Sequence, residues 1–196
     1  MSCMRCLLIS LIATSVVFSQ TEGPTGGVSI RDEPPGGANQ AKAPPLSPPS
    51  RTSVTINGQK ITIKYGAPSM RKRVIFGGLV PYHKVWRAGA NVATLLQTTS
   101  DVELNGLLVP KGEYSLYVWL DPQQWLLIVN KQTGQSGLDY NQQLDLGRVP
   151  MDMSRPPKAI ERFKITLTKT APMSGQLTLA WENTIAMVDF VVRTPP

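Results

Sequence analysis

Twice in this chain an Asn-Gly pair stands between short runs of β-favouring residues: SVTI before and QKITIKY after Asn57 and Gly58, and VEL before and LLVP after Asn105 and Gly106. The tightest hairpin turns need positive φ at both central residues, which Asn and Gly adopt at the least cost, so each pair predicts two antiparallel strands joined by a minimal turn. The flanking runs agree with that reading. Val54, Ile56, Ile61 and Ile63 alternate with polar residues, and Tyr114, Leu116, Val118 and Leu120 do so again further along.

The same period continues through most of the chain. ATLLQTTS (93–100) reads as a strand, and WLLIVN (125–130) is apolar without alternation, which predicts a strand covered on both faces. Residues 160–168 form another strand, and QLTLAW and IAMVDFVV form a hairpin joined at Glu182, Asn183 and Thr184. No window supports an amphipathic helix longer than two turns, and the best candidate, residues 140–146, is short. The expected fold is therefore all-β: an antiparallel β-sandwich or jelly-roll-like barrel of about eight strands, with two long ordered loops at residues 65–91 and 131–157.

The N-terminus has a different composition. MSCMRCLLISLIATSVVFSQ carries one early cation, Arg5, then an apolar run and small residues, the layout of a secretory signal cut after Ser19. Its apolar run is shorter than the ~20 residues of a membrane span, so no stable span is expected after cleavage. Residues 20–50, rich in Pro and Gly and poor in large apolar side chains, read as a disordered linker. The domain itself is assigned to residues 51–194, and the localisation expected is export, periplasmic or extracellular. Both cysteines, Cys3 and Cys6, fall in the leader, which leaves the mature chain without a disulfide, a thiolate ligand or a cysteine nucleophile.

A net charge of +7 suits an anionic partner. Export and the lack of any nucleic-acid-binding motif exclude nucleic acid from the expectation. The first loop, YGAPSMRKRVIFGGLVPYHKVWRAGAN, holds five cations and the only histidine, His83, with no acid. Arg71, Arg73 and Arg87 supply planar donors, Tyr82, Trp86 and Tyr140 supply aromatic faces, and Asp139 in GLDY is the carboxylate expected nearest to them. The candidate ligand site is thus Arg71, Arg73, Tyr82, His83, Trp86, Arg87, Asp139 and Tyr140, placed where the first loop meets GQSGLDY. The competing role for the same cations is a clasp, with Arg73 and Arg87 paired to carboxylates such as Asp139. The apolar residues Ile75, Phe76, Leu79, Val80, Val85 and Trp86 would then pin the loop to the sandwich.

The order of motifs carries a resemblance. YG.PS.R.R.IFGGLVPY.KVWR.GAN.AT, then P.G.YSL, then NK.TGQ.GLDY, then LAWEN are similar to a bacterial family of exported domains of unknown function, number 2911, over residues 54–192. The resemblance implies a fold and an exported setting but no activity. The chain departs from the family pattern at Ala67, where arginine is common, at Val92, where the pattern has glutamate, and at Ser136, where it has tryptophan.

Two function classes follow. The first is a non-enzymatic binding or envelope-associated module for a glycan or another anionic small molecule. The alternative is a glycan or peptide hydrolase with two carboxylates drawn from Glu113, Asp121, Asp139 and Glu182, which would have to face one cleft within about 10 Å. No serine-nucleophile elbow is present, because GQSG lacks the strand-turn-helix setting, and one histidine without cysteine makes no metal set. No catalytic residue, metal ligand or cofactor is assigned.

Overall fold

The computed structural model describes residues 46–193; the expected signal, 1–19, and the linker up to residue 45 lie outside the described residues. The strands in chain order are β1 (Pro49–Ile56), β2 (Gln59–Gly66), β3 (Val85–Trp86), β4 (Thr94–Thr98), β5 (Val102–Leu104), β6 (Leu107–Val109) and β7 (Gly112–Trp119). They continue as β8 (Leu126–Asn130), β9 (Asp145–Pro150), β10 (Asp152–Ser154), β11 (Ile160–Lys169), β12 (Ser174–Glu182) and β13 (Thr184–Val192). The first strand begins inside the segment assigned by composition to the linker, with Pro49 opposite Gly66. Proline is tolerated there because it is the first residue of an edge strand and owes no ladder hydrogen bond on its open side.

Two antiparallel sheets face each other as a β-sandwich. One runs β1-β2-β4-β7-β8-β9, with β3 also on β7; the other runs β11-β12-β13-β5-β6, with β10 also on β13. The ladders remain separate, so the barrel alternative does not hold. Thirteen strands replace the expected eight because several are only two or three residues long. Both Asn-Gly pairs make the anticipated turns, with φ of 47° and 75° at Asn57 and Gly58 and 40° and 87° at Asn105 and Gly106. Among the described residues no helix is long and apolar enough to cross a membrane.

The core lies between the sheets. Ile61, Ile63, Leu116, Val118, Leu127 and Val129 from one layer meet Phe163, Ile165, Leu177, Leu179, Val188 and Phe190 from the other. The apolar run in β8 behaves as its composition requires: Leu127 and Val129 join this core, while Ile128, fully buried, belongs to a second cluster with Tyr117 and Ala93 on the opposite face. Tyr140 from the second loop packs on Tyr117 with ring centroids 4.9 Å apart, and so covers that outer face. Two elements fall in the region expected to be irregular, namely β9 and β10. The helical candidate reduces to a single 3-10 turn, Gln142–Leu144, leading directly into β9.

One detail of the topology positions the site. β3 and β4 lie in series along the same edge of β7, Val85 and Trp86 opposite Trp119 and Val118, then Thr94 opposite Leu116. Residues 87–93 must therefore arch away from the sheet between them. The arch is fixed by the indole N–H of Trp86 donating to Gly89 O at 3.1 Å and by the Thr94 hydroxyl donating to Ala88 O at 2.8 Å. Gly66 lies so close beneath it that a Cβ there would collide with the Ala90 carbonyl.

Candidate functional site

The first loop is anchored by its apolar residues, as expected. Ile75, Phe76, Val80 and Trp86 are buried, and only Leu79 among the larger anchors stays out, at 49% exposure. Phe76 lies edge-on to Trp86, Trp125 and Trp181, and Trp86 stacks on Trp181 with centroids 5.8 Å apart. Aromatic pairs of this kind contribute about 0.5–1.5 kcal/mol each beyond the area they bury. Among the described residues, five of the eight non-glycine residues at positive φ fall in this stretch: Arg71, Lys72, His83, Ala88 and Asn91. The other three, Asn57, Asn105 and Glu182, occupy hairpin turns. A backbone held so often in a costly region is one that the surrounding structure fixes.

The loop's clasp is made by different atoms from those the charges suggest. Glu182, in the β12–β13 turn, accepts the amide N–H of Ile75 at 2.9 Å and of Phe76 at 3.3 Å. Glu161 accepts the amide of Arg71 at 2.9 Å. The ion pairs among the described residues are Arg148–Asp145 and Arg193–Glu103, and His83 Nδ1 lies 3.4 Å from Asp121. None involves Arg73, Arg87 or Asp139, so the expected pairing of those arginines with Asp139 is not formed. Arg73 instead donates to the carbonyls of Met70 and Ser69, both at 2.9 Å.

At the junction of the two loops lies a cleft of about 390 Å³. Arg73, Lys84 and Arg87 line it together with Trp86, Tyr117 and Tyr140, and no carboxylate does. Leu79 and the 81%-exposed Leu138 stand at its rim. Arg87 is the half-buried cation of the three, its stem laid across Gly137 of the second loop so closely that a Cβ there would collide with its Cδ. Its Nε is inaccessible to solvent and has no hydrogen-bond partner among the described residues. Buried polar groups in native proteins are nearly always paired, so this orphaned N–H, packed against Gly137, is an exception to the rule.

Behind the cleft is a polar network. The Gln135 amide donates to the Tyr117 hydroxyl at 2.9 Å and to Ser115 Oγ at 3.1 Å. The Tyr140 hydroxyl donates to Asp145 at 2.7 Å, and Arg148 donates to both partners. Burial and then the Asp145 carboxylate hold the Tyr140 phenol well above its ordinary value of 10.0, at about 12. Burial also raises the Tyr117 phenol. Both hydroxyls are thus kept neutral and able to hydrogen-bond at any physiological pH.

Of the eight residues singled out from sequence, Arg73, Trp86, Arg87 and Tyr140 line this cleft. Arg71 is turned away, its guanidinium donating to Leu46 O at 3.1 Å. Tyr82 lines a different cleft beside Glu182, and His83 is an exposed residue 3.4 Å from Asp121. Asp139 is exposed and contributes through its backbone, whose carbonyl accepts the Tyr117 hydroxyl at 3.4 Å. Lys84, Tyr117 and Trp181 were missed as lining residues. Tyr117 was legible, since it alternates with the core set of β7 and must point to the opposite face.

The carboxylates named for hydrolysis are dispersed. Glu113 and Glu182 line separate clefts, Asp121 lies beside His83, and Asp139 lines none of the clefts described. Among the described residues no group of three or more His, Cys, Asp or Glu side chains is placed to hold a metal ion.

A family model described as a protein of unknown function, DUF2911, matches residues 47–190. The chain belongs to the DUF2911 family. No curated protein and no solved structure matches it. The DUF2911 match spans both sheets and both loops, so the cleft lies wholly within the family domain. Val92 of the arch and Ser136 of the second loop meet in space as an isolated antiparallel bridge.

Proposed function

We propose that this DUF2911 chain is an exported, non-enzymatic binding module whose inter-loop cleft takes an anionic ligand, most simply a glycan bearing carboxylates. The observation that carries the reading is the composition of the cleft: three cations and no acid line it. A guanidinium fork matches a carboxylate with two parallel hydrogen bonds, and the rings of Tyr117 and Tyr140 add apolar edges suited to a sugar ring. Hydrolysis by paired carboxylates is the weaker reading, because no two of the four candidate carboxylates line one described cleft.

The test is calorimetric titration of the secreted protein with digalacturonate beside the neutral disaccharide lactose. Binding of the acidic sugar alone is expected, with affinity lost in Arg87→Ala and in Arg73→Ala under conditions where both variants remain folded by urea titration. Stability that falls in both variants while sugar affinity stays the same would return both arginines to a structural role and end the binding reading.

A further inference from the structure

A second concavity adjoins the first. It measures about 520 Å³ and shares Ser47 and Ala90 with the inter-loop cleft, so the two meet across the arch. Its cations are Arg51 on β1 and Lys64 on β2, and it too is lined by no Asp or Glu. Five cations therefore line the two clefts together, Arg51, Lys64, Arg73, Lys84 and Arg87, with no carboxylate among the lining residues, while Arg51 also borders a third cleft that holds Glu113.

The second cleft carries its own sign of a partner. Arg51 and Lys64 are directly opposite in the β1–β2 ladder, both are exposed, and neither forms an ion pair among the described residues. Like charges at a directly opposed cross-strand position oppose folding. An anion lying between them would relieve that repulsion.

We propose that the two clefts form one extended binding surface for an anionic glycan chain, successive acidic units of which engage Arg87 in the first cleft and the Arg51–Lys64 pair in the second. The proposal rests on the anionic-ligand reading of the first cleft and adds to it the size of the ligand and the second subsite. Shape favours a chain over a compact anion, because the shared residues, Ser47 and Ala90, join two concavities rather than closing one. It also favours a chain over a flat lipid surface, since the cations line concave walls.

Length dependence tests it. Digalacturonate and a long oligogalacturonate are titrated into the full secreted chain and into Arg51→Gln/Lys64→Gln and Val92→Glu. Val92 lines the second cleft at 61% exposure, so the new carboxylate is added without disturbing the core. The long oligomer is expected to bind more tightly than the dimer. The double variant should weaken the oligomer by about three- to tenfold, as expected for two exposed charge contacts, and leave the dimer unchanged. Val92→Glu should weaken the oligomer selectively as well. Dimer and oligomer binding equally, with both variants silent, would overturn the second subsite while leaving the first cleft in place; no binding of either would remove the underlying reading too. Binding to phosphatidylglycerol vesicles in place of the oligomer, abolished by Leu138→Ser, would overturn the glycan chain and assign the surface to a membrane.

Discussion

The carboxylate of Glu182 accepts the amide N–H of Ile75 at 2.9 Å, joining the turn between the last two strands to a loop 107 positions earlier in the chain. The amide of Phe76 shares it at 3.3 Å, so one side chain satisfies two donors of a backbone that has left the sheets. A charged acceptor of this kind is worth about 1.5–3 kcal/mol, and half-burial places Glu182 at the lower end. Glu182→Ala is expected to lower the unfolding free energy by about 1–2 kcal/mol in urea, with Glu182→Gln intermediate. Amide exchange at Ile75 and Phe76 should rise more than the global change requires. A variant with wild-type stability and protection would show that the aromatic cluster alone holds the loop.

Gly137 makes the companion case on the second loop. An added methyl would meet the Cδ of Arg87 and lie 2.7 Å from the Asn91 carbonyl, and the latter is backbone that cannot swing aside. Overpacking of this sort costs about 1–3 kcal/mol. Gly137→Ala is therefore expected to destabilise the chain by that amount and to displace Arg87, which lowers affinity for digalacturonate as well. Gly134→Ala is the control: a Cβ there meets nothing, and its positive φ of 79° imposes a backbone cost alone. It should reduce stability without touching the ligand.

The strands were legible wherever local pattern and tertiary demand agreed. Asn57-Gly58, Asn105-Gly106, the alternation of β7 and the unbroken apolar run of β8 each specify one outcome. β9 and β10 were not legible, because DLGRVP and DMS carry no alternation of their own; they are strands through the ladders that β8 and β13 offer them. The site divides in the same way. Trp86, Arg73 and Arg87 could be selected by residue type, but the direction of each side chain depends on positive-φ residues such as Lys72, His83 and Ala88, which redirect the loop without leaving a sequence signal. Charge pattern suggested an arginine–carboxylate clasp. The carboxylate of Glu182 is spent on main-chain amides instead, a partnership that residue types alone do not announce.

The raised phenol of Tyr140 links stability to alkaline pH. Its folded value of about 12 lies above the ordinary 10.0, so between those values the unfolded chain has lost a proton that the folded chain retains. The unfolded state then binds fewer protons, and stability falls as pH rises. The contribution is complete below about pH 10 and disappears toward pH 12; Tyr114 and Tyr117, both also raised by burial, act in the same direction. Tyr140→Phe should be less stable than the parent by about 1 kcal/mol at pH 9, from its lost hydrogen bond to Asp145. By pH 11.5 the difference should shrink, and urea midpoints at both pH values measure it. A gap that stays constant across the window would mean that this phenol does not titrate with unfolding.

Arg51 and Lys64 face each other across β1 and β2, and this pair separates stability from binding. Replacing repulsion by attraction at a directly opposed position is worth roughly 0.2–1 kcal/mol. Arg51→Glu is thus expected to raise the urea midpoint at low salt, an effect that shrinks at ~1 M sodium chloride, where the Debye length is only ~3 Å. The same substitution should cost affinity for the long oligogalacturonate. Higher stability together with undiminished oligomer affinity would show that the repulsion serves no ligand.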